Sequence, residues 1–214
     1  MKVSGKDLKL YAVTDRKWVG EQSLEEQVEE ALAAGVTFLQ LREKHMEKGE
    51  LLEEAKRIGV IAKRYQVPFL IDDDVEMAIA CQADGVHIGQ KDMLPKIARE
   101  LLGEDKILGV TARTVEQAKS AWEQGADYLG VGAAFATSTK DDTIVITKET
   151  IREICEAVPI PVVVIGGITK ENMKQLKNCK ASGVAVVSAI FASDHITGAV
   201  KSLLKEVEEN LWSD

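Results

Sequence analysis

The stretch VTFLQLREKH, Val36 to His45, opens as a β-branched apolar run and ends in charge, with Gln40, Arg42 and Lys44 at alternate places and Leu39 and Leu41 between them. Successive strand side chains point to opposite faces, so the three polar groups share one face and the leucines share the other. An edge strand with its polar face in water satisfies this pattern. So does an inner strand whose polar face lines an enclosed site, and the rest of the chain decides between them.

About eight apolar runs of this length recur, each followed by a longer stretch with helical spacing. The candidate strands are LKLYAVT from Leu8, VTFLQL from Val36, VPFLI from Val67 and DGVHI from Asp84. They continue with KILGV from Lys106, DYLGVG from Asp127, PVVVIG from Pro161 and GVAVVS from Gly183. Amphipathic segments lie between them, starting at Ser23, Lys48, Val75, Met93, Thr114, Thr147 and Thr169, with a last one from His195 to Asn210. Ser23 with Glu26 and Thr114 with Gln117 fit capping boxes, and Gly35, Gly103 and Gly125 stand where left-handed C-terminal caps belong. This alternation implies parallel βαβ units with both sheet faces covered. Eight such units close into a (β/α)8 TIM barrel, a single domain over residues 1–214 with short loops, because about 250 residues is more usual for that fold. A doubly wound open sheet is the alternative.

With 45% hydrophobic residues the chain has ample material for a core. A formal charge of −8 argues against a general nucleic-acid or anionic-membrane binder, so an anionic ligand has to be held by a local basic pocket. Cys81, Cys155 and Cys179 lie far apart with no CxxC spacing, which argues against disulfides and a zinc knuckle. The N-terminal MKVSGKDLKLYAVTD lacks the apolar centre of a signal peptide, and no later segment supplies the roughly 18 uninterrupted apolar residues of a membrane span. The expectation is a cytoplasmic protein with small-molecule partners and no nucleic acid or membrane, with a homo-oligomer left open.

In a barrel, Leu39 and Leu41 pack under helices while Gln40, Arg42 and Lys44 face the mouth, where active sites of this fold lie. Two enclosed cations without anions would cost several kcal/mol each, so their placement implies an anionic ligand. The third strand ends in Asp72, Asp73 and Asp74, and the fourth runs through ADGVHIGQKD to Asp92. Carboxylates beside an anion site suit Mg²⁺, which takes one or two carboxylates together with phosphate oxygens, and Asp73 and Asp92 are the candidate ligands. Acidic residues also simply begin helices, which would account for Asp74. His87 is expected to be a packed or hydrogen-bonded strand residue. After the sixth strand, GVGAAFATSTKDDT offers Thr137 and Thr139 to a phosphate and then Lys140, although a flexible polar loop fits as well. Its glycines give only half of a dinucleotide fingerprint. The GGI at Gly166 and the VVSAI at Val186 follow the last two strands, where phosphate sites are frequent in this fold.

Together these stretches resemble the thiamine-phosphate synthase family: LYAVTD at Leu10, QLREK at Gln40, ADGVHIGQ at Ala83, GADYLGVG at Gly125, TSTK at Thr137, GGI at Gly166 and VAVVSAI at Val184. The likeness covers almost the whole chain. It implies a (β/α)8 transferase that joins a pyrimidine diphosphate to a thiazole phosphate, plain or carboxylated, and releases pyrophosphate with Mg²⁺. By matching position, Gln40, Arg42, Lys44, Asp72, Thr111 and Lys140 would hold the pyrimidine diphosphate, with Arg42, Lys44, Thr111 and Lys140 catalytic. Asp73 and Asp92 would hold the metal, and Thr137, Thr139, Gly167, Val187 and Ser188 the thiazole phosphate.

The chain departs from the family's usual pattern at Asp72, where Asn is common, at Thr111, where Ser is common, and near Ala133 and Ala136, where prolines are common. Asp72 adds negative charge to a diphosphate site, and two unit charges ~4 Å apart at an effective dielectric near 20 repel by about 4 kcal/mol. Membership of the metal shell, or binding in protonated form, would relieve this. Rival readings are a thiazole tautomerase, a Schiff-base aldolase using Lys140, and a non-catalytic barrel that binds phosphometabolites.

Overall fold

Alternate side chains of each strand enter two different cores. A computed structural model describes residues 3–137 and 144–212 of the chain. Its strands are β1 (Leu10–Val13), β2 (Phe38–Leu41), β3 (Phe69–Asp72), β4 (Gly85–Ile88), β5 (Ile107–Ala112), β6 (Tyr128–Val131), β7 (Val162–Ile165) and β8 (Gly183–Val186). They pair in parallel and in chain order, and β8 returns to β1 to close the barrel, with Leu10 opposite Val184. The open-sheet alternative is thereby excluded. Leu39 and Leu41 join the large outer core between sheet and helices, while Phe38 joins Leu8, Tyr11, Leu70, Ile107, Tyr128 and Val163 in the barrel interior. The polar face of the opening stretch therefore looks inward, and among the described residues the closed barrel leaves no edge strand to carry it into water.

The helices are α1 (Leu24–Ala34), α2 (Lys48–Arg64), α3 (Val75–Ala80), α4 (Pro95–Leu102), α5 (Val115–Glu123), α6 (Lys148–Ala157), α7 (Ser188–Phe191) and α8 (Ile196–Leu211). At α1 both bonds of the Ser23/Glu26 capping box form and Gly35 takes the left-handed cap. At α5 half of the expected box forms. Thr114 accepts from the Gln117 N–H, but the Gln117 side chain accepts from the N–H of Arg113, one residue too early. Gly103 has φ +73° but an extended ψ of −179°, so it ends α4 without the left-handed cap expected of it. The segment from Thr169 forms only a 3-10 turn, Met173–Leu176. Asn172 explains this: its side chain accepts from the Thr169 N–H at 2.9 Å and donates to the Gly167 carbonyl at 2.8 Å, offering the backbone local bonds that compete with a helix. The short α7 after β8 is an element that the spacing of apolar residues did not announce. Among the described residues no helix is long and apolar enough to cross a membrane.

Closure depends on glycine where β8 meets the chain leading into β1. A Cβ at Gly183 would stand 2.0 Å from the Leu8 carbonyl oxygen and 2.5 Å from that of Lys9, both of them backbone atoms with little freedom to move. We expect Gly183→Ala to lower the unfolding free energy by about 2 kcal/mol or more in urea titration, within the range of overpacking changes. An unchanged midpoint would show that the β8–β1 seam yields.

Candidate active site

Arg42 directly follows β2, and its backbone is fixed from β1's end: its N–H donates to the hydroxyl of fully buried Thr14 at 3.0 Å. Its guanidinium, 15% exposed, has Nε 3.7 Å from Asp72 Oδ2 and Nη1 4.0 Å from Asp15 Oδ2. Lys44 reaches the same carboxylate, with Nζ 3.0 Å from Asp72 Oδ2, and also pairs with Asp73. Burial acts to depress the Lys44 pKa, but attraction to Asp72 and hydrogen bonds to Asp73 and Asp72 outweigh it, so the amine is held protonated. The unusual carboxylate at position 72 thus already faces two cations. Asp72 is therefore a paired carboxylate and not a bare anion.

Asp73 has φ +62°, a left-handed conformation that costs a non-glycine residue of order 1–2 kcal/mol. Its N–H donates to the His87 carbonyl at 2.8 Å, which ties the turn after β3 to β4. Asp74 accepts from the Met77 N–H and caps α3, as its position predicts. Asp92 does not serve this way. The N-cap of α4 is Leu94, and the Asp92 carboxylate instead accepts from the Gly89 N–H at 2.7 Å. Burial, followed by a hydrogen bond with the Asp73 carboxyl, lifts the Asp92 pKa above its ordinary range. Two carboxylates in contact, with an ammonium on one of them, form a donor set suited to a hard divalent cation. Among the described residues no group of three or more His, Cys, Asp or Glu side chains gathers as a metal site, so substrate oxygens or water would have to complete the coordination.

The mouth opens into a cavity of about 1050 Å³, counted out to its open end, whose lining includes Gln40, Arg42, Asp72, Asp73, Thr111 and Thr137. Gly167, Val187 and Ser188, from the loops after β7 and β8, line it as well. Gly166 (φ +105°) and Gly167 (φ +60°) turn the chain after β7, and a Cβ on Gly167 would stand 2.3 Å from the Ala136 carbonyl oxygen. Asn172 and Phe135 hold the two glycine carbonyls, and the Gly167 N–H has no protein partner among the described residues. Thr139 and Lys140, expected in this site, lie outside the described residues. Lys44 and Asp92 stand at the rim, joined to the cavity through Asp73.

Beneath the mouth runs a polar chain that sequence reading did not assemble. Gln40 Nε2 donates to Tyr11 Oη at 2.5 Å, Tyr11 Oη meets Tyr128 Oη at 2.9 Å, Tyr128 Oη meets His87 Nδ1 at 2.9 Å, and His87 Nε2 meets Thr111 Oγ1 at 3.0 Å. Glycine makes the room: a Cβ at Gly109 would stand 2.3 Å from Tyr128 Oη, and one at Gly130 would stand 2.8 Å from His87 Cε1. Gly130 is accounted for by this packing, with no dinucleotide required. Arg113 also lines the cavity, and its buried Nε has no hydrogen-bond partner among the described residues. Inward register was the available signal for Tyr11, Tyr128 and Arg113, each two residues from an assigned or apolar inward position.

The Asp73–Asp92 contact has a direct consequence. We expect Asp73→Asn to bring the Asp92 pKa down toward the usual carboxylate range in a ¹³C-carboxyl NMR titration; an unmoved titration would leave burial as the whole cause.

The profile of the family described as thiamine monophosphate synthase matches residues 10–190 of this chain. The thiamine-phosphate synthase of Clostridium tetani is 46% identical over 197 residues, 92% of this chain and 94% of that protein. That of Methanobrevibacter smithii is 46% identical over 200 residues, 94% and 95% of the two chains. In three dimensions the thiamine phosphate pyrophosphorylase from Pyrococcus furiosus superimposes with a TM-score of 0.89 at 39% identity, covering 97% of this chain and 98% of its own. A closed parallel barrel, paired cations at its mouth and similarity along nearly its full length identify this chain as a member of the thiamine monophosphate synthase family.

Proposed function

We propose that the barrel mouth joins a 4-amino-2-methylpyrimidinylmethyl diphosphate to a thiazole phosphate, giving thiamine phosphate and pyrophosphate. The observation that carries this reading is the convergence of Arg42 and Lys44 on Asp72 and Asp73 at a cavity that the Gly167 turn and Ser188 also line. Gln40, Arg42, Lys44, Asp72 and Thr111 surround the diphosphate substrate, joined by Lys140. Thr137, Gly167, Val187 and Ser188 receive the thiazole phosphate together with Thr139. Asp73 and Asp92 would hold Mg²⁺, which when bound supplies positive charge against the departing oxygens.

The bond from the pyrimidine methylene to the diphosphate oxygen breaks with both electrons going to oxygen. The thiazole nitrogen then attacks the carbon, whose positive charge the aminopyrimidine ring delocalises. No general base is required, because no proton moves in forming this bond. Arg42 and Lys44 act where negative charge grows, in a partly enclosed site where such charges count for more than in water. Their pairing with Asp72 and Asp73 keeps them oriented before substrate arrives. A thiazole tautomerase, which expels no diphosphate, has no use for this arrangement. Small charged substrates are in keeping with a cytoplasmic enzyme.

Incubating the protein with both substrates and Mg²⁺ should yield thiamine phosphate, and Arg42→Ala should lower kcat by about 100-fold or more, as removal of one preorganised charge donor does. Isomerised thiazole without thiamine phosphate, or borohydride trapping of substrate on the chain, would refute the reading. The metal assignment has a readout apart from turnover. The raised Asp92 pKa means that its ionised form opposes folding: the cost is absent below the ordinary carboxylate range and complete once pH exceeds the raised value. We therefore expect Asp92→Asn to raise the ligand-free melting temperature at pH 7 but not near pH 3, and to abolish the stabilisation that Mg²⁺ gives the native protein.

A further inference from the structure

This inference rests on the diphosphate assignment above and concerns how the same site reads the pyrimidine ring. We infer that the chain Gln40–Tyr11–Tyr128–His87–Thr111 couples the hydrogen-bond polarity of the cavity at Gln40 to that at Thr111, and so selects a 4-aminopyrimidine diphosphate over its 4-oxo analogue.

The coupling follows from counting protons. Tyr11 and Tyr128 are 2% and 0% exposed, and burial raises both phenol pKa values, so each keeps its single proton. Gln40 Nε2 donates to Tyr11 Oη, so the Tyr11 proton must pass to Tyr128 Oη. Tyr128 then donates to His87 Nδ1, which fixes the Nε2–H tautomer, and Nε2–H donates to Thr111 Oγ1. The Thr111 hydroxyl proton is left to point into the cavity, and Gln40 presents Oε1 there as an acceptor. Rotating the Gln40 amide reverses every bond: Gln40 then offers only N–H groups to the cavity, and the Thr111 proton is consumed by His87. With His87 neutral, any mixed state leaves a buried proton without an acceptor, or two protons facing one another. The chain therefore has two satisfied states, opposite at both ends.

A diphosphate oxygen beside Thr111 can only accept, so it selects the state in which Thr111 donates. In that state Gln40 Oε1 is the acceptor offered to the cavity, whose lining also includes the apolar Val163, Ile165 and Ala185 against which an aromatic ring would pack. An amino group satisfies that acceptor. An oxo group presents a second acceptor, which the chain can meet only by reversing and withdrawing the Thr111 proton from the diphosphate. Tyr11, Tyr128 and His87 thus act as positioning residues, and the two ends of the chain, Gln40 and Thr111, are its members that bond the substrate.

Two measurements test this. First, ¹⁵N–¹H correlation spectra of the native protein with Mg²⁺ and inorganic pyrophosphate should show His87 as the Nε2–H tautomer with a bare Nδ1. The Nδ1–H tautomer, or an imidazolium, would overturn the inference, and this readout needs no turnover. Second, the ratio of kcat/KM for the amino and oxo diphosphates should fall by about tenfold or more in Tyr128→Phe, which keeps the ring and severs the chain, while kcat/KM for the amino substrate falls less than the ratio does. A folded Tyr128→Phe enzyme with unchanged selectivity would overturn it. Native protein that binds pyrophosphate with the expected tautomer but forms no thiamine phosphate would instead overturn the proposed reaction and leave the coupling standing.

Discussion

An arginine and a lysine at the mouth of a parallel barrel must be neutralised before they can be enclosed. Asp72 meets this requirement for both of them, and Asp73 meets it again for Lys44. The attraction within each pair is offset in large part by the loss of hydration, so such pairs add little net stability. In the proposed reaction their value lies in preparation. The cations would be oriented before an anion arrives, and among the described residues the 3.7 Å separation of Arg42 Nε from Asp72 leaves that nitrogen without a full hydrogen bond, ready to turn to a better acceptor. The acidic pair Asp73 and Asp92 completes the arrangement in the opposite sense, being two like charges that an added cation would relieve.

Below this charged rim, the barrel interior combines an aromatic cluster with a polar chain. Tyr11, Phe38 and Tyr128 pack edge to face at centroid distances of 4.7–6.1 Å, which holds the two phenols still enough for their hydroxyls to meet. Gly109 and Gly130 supply the space that the His87 and Tyr128 side chains occupy. The packing of the interior and the orientation of the groups that face substrate are therefore one problem with one solution. A site built on strands in this way gains precision from the rigidity of the sheet.

Much of the fold was legible in the chain because the signals were local. Period-two alternation told which side of β2 faced inward, and Ser23, Glu26 and Gly35 marked the ends of α1 through bonds between near neighbours. The distinction between Asp74, a helix cap, and Asp92, which caps nothing, also followed from position along the chain. What was missed is non-local. That Asp72 serves two cations depends on β2 lying beside β3 at one register, and a chain linking β1, β2, β4, β5 and β6 exists only once the barrel has closed. The helix expected from Thr169 was lost to Asn172, a side chain able to hold both ends of a turn, and helical spacing does not report that competition.

The whole account depends on the two rim cations being poised for a diphosphate. Calorimetric titration of inorganic pyrophosphate with Mg²⁺ into the native protein and into an Arg42→Gln, Lys44→Gln double variant tests this most directly. The affinity of the folded variant should drop by about 100-fold or more, in proportion to two charge-assisted contacts. Equal affinity in the two proteins would mean that the anion binds elsewhere and that these cations serve only to hold the barrel mouth together.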